Sequence, residues 1–264
     1  MSGVDAWSAK QYLQFEEERT RPARDLLAAV TIPGARHAVD LGCGPGNSTE
    51  LLATRFPGCR ILGIDTSSDM VEAARKRLPG HSFEVRDLRH WVASPDPGQA
   101  PLDVILANAV LHWIPDHARV LPALLAKLSR GGCLAIQMPD NLDEPAQRAM
   151  REVAAGGPWR SKLKGVERAR ESVESPGWYY ELLHPACSRV DVWRTTYHHA
   201  LKGAAAIVDW FKGSGLLPFL APLDAAERAE FLVRYREAVE TAYPALRDGT
   251  VLLPFPRLFV VAVR

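Results

Sequence analysis

The sequence predicts an α/β fold, a mostly parallel seven-stranded sheet with helices on both faces and a small helical lid. Three observations carry this reading. Short apolar runs alternate with helix-patterned stretches through the first half of the chain. The first run passes through Val39-Asp40-Leu41 into Gly42-Cys43-Gly44-Pro45-Gly46, then reopens as a helix from Asn47-Ser48-Thr49-Glu50. Three successive runs carry an acid at their ends: Asp40, Asp65 and Asp87.

Strands are expected at 37–41, 60–65, 82–86, 102–108 and 133–138, with helices near 47–55, 67–78 and 116–129 between them. This is the rhythm of parallel strands joined by right-handed crossovers. Val104-Ile105-Leu106-Ala107 and Leu134-Ala135-Ile136 are apolar throughout, as strands covered on both faces are. Arg130-Gly131-Gly132 reads as the turn into the fifth strand. After residue 140 the rhythm changes. Residues 143–155 are helix-patterned, and 156–187 are rich in Gly, Pro, charge and aromatics (Trp159, Trp178, Tyr179, Tyr180). That stretch reads as a cover over the pocket rather than core, so 143–187 is expected as a lid within one domain spanning 1–264. Residues 1–30 are expected as a helical segment over the site. Late strands at 189–199 and 258–263 enclose helices near 203–213 and 222–243, separated by Gly213-Ser214-Gly215 and Pro218. They are expected to join the sheet edge, at least one of them antiparallel.

The glycine loop predicts a nucleotide-type pocket. Glycines let the backbone turn sharply and let a ligand approach with no Cβ in the way. The helix start behind them presents unpaired N–H groups and a partial positive charge. Two ligands compete for it. A dinucleotide fingerprint places its third glycine at position 47, which is asparagine here, while Gly46 comes one residue early. Asp40 lies where a pyrophosphate would sit, a place hostile to a dianion and hospitable to an ammonium or sulfonium. Asp65, 19 residues after Gly46, can accept both ribose hydroxyls, a demand common to NAD and S-adenosylmethionine. Asp87 can accept from an adenine amino group. Three such acids fit the cationic S-adenosylmethionine better than a phosphorylated ligand. Taken singly, Asp65 also reads as a cap for the helix near Ser67, and Asp87 as a turn former. Asp40, Gly42, Gly44, Gly46, Asp65, Asp87 with its neighbour Leu88, and Asn108 are therefore the cofactor candidates. Met70, on the helix after Asp65, either packs on the adenine or fills the core.

Bulk properties agree with a soluble cytoplasmic enzyme. The 264 residues are 47% hydrophobic and 24% charged, with a net charge of +1, so nothing global favours nucleic acid. Lys162, Lys164, Arg168 and Arg170 cluster, but Glu167, Glu171 and Glu174 intersperse, which reads as a solvated helix face. Cys43, Cys59, Cys133 and Cys187 stand apart without a Cys-x-x-Cys pair, against zinc or a disulfide scaffold. No metal is expected. The N-terminal residues lack the basic-then-apolar order of a signal peptide, and no apolar run reaches spanning length.

The whole chain resembles the Rossmann-like class I S-adenosylmethionine-dependent methyltransferases, and within them the trans-aconitate 2-methyltransferase family. Beyond the glycine loop, the likeness runs through Tyr12-Leu13-Gln14-Phe15 with Glu18-Arg19-Thr20-Arg21-Pro22, and Trp113-Ile114-Pro115-Asp116-His117. It continues in Gln137-Met138-Pro139-Asp140-Asn141, Val192-Trp193-Arg194-Thr195-Thr196-Tyr197, Arg234-Tyr235 and Phe255-Pro256-Arg257-Leu258-Phe259. Residues 156–177 follow the family pattern poorly. The resemblance implies methylation of a small tricarboxylate, trans-aconitate, to its monomethyl ester, with S-adenosylhomocysteine as the other product. It implies no nucleic-acid or membrane partner, and a monomer or weak dimer. Asn108-Ala109-Val110-Leu111 stands where amino-group methylases of the fold carry Asn- or Asp-Pro-Pro-aromatic, which points away from that chemistry. Another acid or a hydroxyl as acceptor, and a non-catalytic binding protein, remain as alternatives.

The implied reaction is in-line attack of a substrate carboxylate on the sulfonium methyl. Carboxyls titrate near pH ~4, so the nucleophile is already ionised and no general base is required. His112, after the fourth strand, is then expected to orient the substrate's second carboxylate, or else to pack beside Trp113. A trianion calls for forked donors, which arginine supplies and lysine does not. The substrate candidates are Arg19, Arg21, Arg257, His112 and Trp113, with Tyr12, Tyr179, Tyr180 and His198 as further donors; Arg21 could instead serve the cofactor's carboxylate.

Overall fold

A computed structural model describes residues 15–94, 100–166 and 173–264. Seven strands form one sheet in the order β3-β2-β1-β4-β5-β7-β6. They are β1 His37–Leu41, β2 Arg60–Asp65, β3 Ser82–Val85, β4 Leu102–Asn108, β5 Leu128–Pro139, β6 Arg189–Lys202 and β7 Thr250–Val263. β1 pairs in parallel with β2 and with β4, β2 with β3, and β4 with β5. β7 runs against β5, since Gly131 donates to the Arg264 carbonyl at 2.7 Å while Asp140 donates to Pro256 at 2.9 Å. Ser188, just before β6, donates to Val263 at 2.8 Å, so β7 is antiparallel to β6 as well. The strand order reverses between β1 and β4, which opens a crevice at their carboxyl ends.

The expected strands recur, with β7 starting at Thr250 rather than 258 and β6 running on to Lys202, and a further difference in β5 is instructive. Arg130-Gly131-Gly132 does not precede β5 but bulges inside it. Pairing passes from Leu102↔Leu128 to Val104↔Cys133, so β5 accommodates extra residues there. Gly131 takes a φ of 79°, and the end of β7 supplies its hydrogen-bond partner. A tertiary neighbour, absent from any local pattern, thus keeps the segment in the sheet.

The chain divides into two compact units. The larger holds Glu16–Pro139, Val173–Thr195 and Leu258–Arg264. Alternation along its strands sends Val39, Leu41, Ile105, Ala107, Leu134 and Ile136 into one core. There they meet Leu121, Leu124 and Leu125 of the helix His117–Lys127, and Leu88 and Trp91 of the helix Leu88–Ala93. A second cluster, Cys43, Val71, Ala74 and Phe83, packs the helix Ser68–Arg77. The helix Glu16–Ala28 buries Arg19, Ala23, Leu26 and Leu27, and the helix Asn47–Arg55 follows the glycine loop. The helix Pro176–Leu183 buries Tyr179 and Leu183.

The smaller unit comprises, among the described residues, Phe15, 140–166 and 196–257. Its helices are Pro145–Gly156, Gly203–Lys212, the short Leu217–Leu220 and Ala225–Ala242. Asp224 and Glu227 close a reciprocal capping box on the last of these. Their shared core is aromatic, with Trp159, Trp210, Phe211, Phe231, Tyr235 and Phe255.

The expectation that 156–187 is cover rather than core is corrected in its described part. Trp159 and Leu163 are buried in the smaller unit's core, and Tyr179 and Leu183 in the larger unit's. Large aromatics that find apolar neighbours far along the chain are buried, whatever the polarity of their local segment. Lys162 and Lys164 are exposed and lie in turns, not on a helix face, and Lys162 pairs with Glu227 at 2.6 Å. Arg168, Arg170, Glu167 and Glu171 lie outside the described residues, as does Tyr12.

Candidate active site

The glycine loop hangs between the ends of β1 and β2. Gly42 and Cys43 both donate to the Ile64 carbonyl, at 2.8 and 3.0 Å. Gly42, Gly44 and Gly46 take φ values of 66°, 53° and 93°, a region that side chains with a Cβ rarely enter. At Gly42 a Cβ would also lie 2.6 Å from the Val110 side chain, whereas at Gly44 it would meet nothing within 4 Å. The loop is thus closed towards β4 and open at Gly44.

Asp40 sits beneath it, with no exposed surface. Its Oδ2 accepts from the hydroxyls of Ser48 at 2.7 Å and Thr49 at 2.6 Å. Its Oδ1 is buried and has no hydrogen-bond partner among the described residues. Burial pushes the carboxyl up to about 7; the Thr49 and Ser48 hydroxyls oppose the shift and the Asp65 charge adds to it. A buried carboxylate with a bare oxygen fits a cationic group and rejects a phosphate.

Asp65 ends β2. Its Oδ2 accepts from Gly44 N at 3.0 Å and its Oδ1 from Ser67 N at 2.9 Å. Burial raises its carboxyl and these backbone donors oppose the rise. The capping hydroxyl of the next helix belongs to Ser67, which accepts from Met70 N. Asp87 caps the helix Leu88–Ala93 by accepting from Arg89 N at 2.8 Å, and also holds the Arg89 guanidinium. That guanidinium keeps the Asp87 carboxyl below its ordinary value. Met70 and Leu88 are buried, and Asn108 closes β4 half-buried, its Oδ1 without a partner among the described residues.

Asn47, at the position that excluded a dinucleotide motif, has a task of its own. Its side-chain amide donates to Glu16 at 2.7 Å and Thr20 at 3.3 Å. Arg77 reaches Glu16 at 2.5 Å and Glu50 at 2.8 Å. The helix Glu16–Ala28 is thereby fastened over the start of the helix Asn47–Arg55, and it carries Arg19 buried and Arg21 exposed. The hydroxyls of Ser48 and Thr49 and the Glu16–Asn47–Arg77 tie were missed by the sequence reading. Hydroxyl residues in the first turn behind an acid-bearing strand are the signal that could have found the former.

After β4 the chain turns sharply. Ala109, with φ 56°, donates to Gln137 at 2.8 Å, and the 3-10 turn Leu111–Trp113 follows. His112 is buried there, its ring 5.0 Å from that of Trp113. Tyr180 is exposed and stacks on His184 at 5.2 Å. Tyr179 is placed differently from the expected substrate donor. It is fully buried, and its hydroxyl is hydrogen-bonded to His117 Nδ1 at 2.8 Å. In the smaller unit His198 is exposed, while Arg257 is buried with its guanidinium 4.6 Å from the Phe255 ring centre. Among the described residues no group of three or more His, Cys, Asp or Glu is placed to hold a metal, and no helix is long and apolar enough to cross a membrane.

Comparison with known proteins agrees with this geometry. The family model for a methyltransferase domain matches residues 39–134, from β1 into β5. Trans-aconitate 2-methyltransferase of Rhodopseudomonas palustris strain BisB5 is 52% identical over 98% of this chain and 99% of its own length. The enzyme of that name from Methylobacterium nodulans is 55% identical over 98% of both chains. Among solved structures, the YcgJ protein of Bacillus subtilis superposes with a TM-score of 0.56 at 12% identity, covering 92% of this chain and 98% of its own. Phosphoethanolamine N-methyltransferase 2 of Haemonchus contortus, solved with S-adenosyl-L-methionine, gives 0.56 at 14% identity over 97% of this chain and 56% of its own. These two likenesses show the fold. The near-complete match to relatives at more than half identity shows the family, and the chain belongs to the trans-aconitate 2-methyltransferase family.

Proposed function

We propose that the protein is an S-adenosylmethionine-dependent carboxyl O-methyltransferase that converts trans-aconitate to its monomethyl ester. The observation that carries the reading is kinship at 52 and 55% identity over 98% of the chain with relatives of that name. The bare Oδ1 of buried Asp40 supports it from the side of the ligand's charge. S-Adenosylmethionine, when bound, supplies a sulfonium methyl as the electrophile.

Asp40 would answer the cofactor's cationic end and Asp65 its ribose hydroxyls. Asp87, whose two oxygens together already accept four bonds from Arg89, would take the adenine amino group as the exposed Arg89 side chain turns aside. Met70, Leu88 and Asn108 would border the adenine side, and Gly42, Gly44 and Gly46 keep side chains out of the loop's open face. None of these residues has to move a proton, since a substrate carboxyl is ionised at neutral pH.

Arg19, Arg21 and Arg257 are the forked donors for the substrate's other carboxylates, with His112, Trp113, Tyr180 and His198 completing its recognition. Charge is lost as cation and anion combine, so donors locked onto the attacking oxygen would stabilise the ground state more than the transition state. The arginines therefore serve best by holding the non-reacting carboxylates. Rate enhancement then rests on alignment, where effective molarity offsets about 7–11 kcal/mol.

The test is transfer of labelled methyl from S-adenosylmethionine to trans-aconitate, with cis-aconitate, citrate and isocitrate alongside. Strong preference for trans-aconitate with a base-labile product is expected. Cofactor binding without transfer to any of these acids would remove the substrate assignment and the three arginine roles.

A further inference from the structure

The turn between β4 and the helix His117–Lys127 holds two non-glycine residues with positive φ, Ala109 at 56° and Asp116 at 61°. Such backbone persists only where its surroundings over-determine it. The entrance is tied by Ala109 N to the Gln137 carbonyl at 2.8 Å. The exit is tied by His117, whose Nε2 lies 2.9 Å from the Leu111 carbonyl. A carbonyl only accepts, so Nε2 carries the proton. In the neutral ring Nδ1 is then an acceptor, filled by the Tyr179 hydroxyl at 2.8 Å. The Tyr179 oxygen also receives Glu174 N at 3.4 Å, and the phenol ring is fully buried.

We infer that His117 and Tyr179 form a positioning pair that fixes the Leu111–Trp113 turn, and with it His112, for the acid substrate; this rests on the proposed function. The Leu111 carbonyl at Nε2 and the Tyr179 hydroxyl at Nδ1 together select one His117 tautomer and hold its ring in place. The turn's opposite side is closed by Val110, which would lie 2.6 Å from a Cβ at Gly42. The turn is thus wedged between the glycine loop and the pair, and a loosened Leu111 carbonyl releases the residue next to it, His112. The Trp113-Ile114-Pro115-Asp116-His117 block acquires a physical role here, and so does a tyrosine whose hydroxyl is engaged by His117.

The experiment combines steady-state kinetics with 15N NMR of the histidines in Tyr179→Phe, His117→Ala, His117→Gln and the Tyr179→Phe/His117→Ala double variant. Tyr179→Phe keeps the ring packing and removes the hydroxyl, which donates to His117 and accepts from Glu174 N. A drop of about tenfold in kcat/KM for trans-aconitate is expected in Tyr179→Phe and in His117→Ala, mostly in KM, with cofactor affinity held within about twofold. The double variant should be no worse than the worse single one, as for members of one network. His117→Gln, whose amide N–H reaches Leu111, should stay within about threefold of the parent. NMR should show His117 protonated at Nε2 in the parent, and a shifted His117 Nδ1 signal in Tyr179→Phe, where that nitrogen loses its donor.

Unchanged kinetics in both single variants, or a His117→Gln as damaged as His117→Ala, would overturn the pairing. Failure of the parent to methylate trans-aconitate would overturn the functional reading instead. The shifts of the His117 Nδ1 and His112 ring signals in Tyr179→Phe would still decide the pairing, and signals unaltered by Tyr179→Phe would end it.

Discussion

Asp40→Asn converts the buried carboxylate beneath the glycine loop into a neutral amide of nearly the same shape. The amide oxygen can still accept from Ser48 and Thr49, whose hydroxyls lie at 2.7 and 2.6 Å from Asp40. The Asp40 carboxyl is raised from 3.8 to about 7 in the fold, chiefly by burial. The folded state therefore binds this proton more tightly than the unfolded chain. Its stabilisation is complete below about pH 3.8 and is lost as pH rises towards 7, after which the loss levels off. Each pH unit in that window is worth about 1.36 kcal/mol, so the full loss is roughly 4 kcal/mol, of which roughly 2 falls between pH 5 and 7. The Asp40→Asn variant has no such loss. Urea unfolding of both proteins at pH 4, 5, 6, 7 and 8, without cofactor, isolates the effect, because other titrations cancel in the difference. The variant should gain on the parent steadily up to neutrality and then hold a constant lead. A difference that stays flat from pH 4 to 8 would refute the reasoning, since it would mean that Asp40 is ionised throughout in the fold. The same linkage makes cofactor binding by the parent tighten as pH rises through about 7, where Asp40 gains the charge that a cation needs. The variant's affinity should lack that step.

Three further outcomes are expected. Gly42→Ala places a Cβ 2.6 Å from Val110 at a φ of 66°, so it should destabilise the fold by about 1–3 kcal/mol and weaken cofactor binding; thermal melting and calorimetric titration measure both. Arg77→Met removes the tie to Glu16 and Glu50, but Arg77 and Glu16 side chains remain 28% and 37% exposed. The loss should stay below about 1 kcal/mol and shrink further in ~0.5 M salt, by denaturation at two ionic strengths. Arg257→Lys keeps the charge and loses the fork, so KM for trans-aconitate should rise about tenfold or more while kcat falls less; initial rates over a substrate series would show it.

The strands and glycine loop were legible because their causes are local. Apolar runs of β1, β2 and β4 match the sheet to the residue, and the loop's glycines occupy the positive φ values that only local geometry demands. The acids at strand ends were legible for the same reason: a strand's carboxyl end can be read from its own pattern. Their engagement could not be read. That Asp87 would hold Arg89 as well as cap a helix, and that Asp40 would take two hydroxyls on one oxygen, depends on rotamers and facing.

Tyr179 shows the boundary most plainly. Its sequence neighbours Gly177 and Glu181 suggest an exposed aromatic available to a ligand, yet its hydrogen-bond partner His117 lies 62 residues away. Trp159 likewise sits in a polar stretch and packs on Phe231 at 5.3 Å. The bulge at Gly131 exists because Arg264, at the far end of the chain, supplies its partner.

Sequence alone therefore determined the fold class, which follows from backbone propensities and short spacings that survive in one dimension, and the family, which follows from likeness along the whole chain. Which polar groups are free to meet a ligand was decided by tertiary structure. Hydrogen-bond saturation and burial are properties of facing surfaces, and the sheet order alone brings those surfaces together.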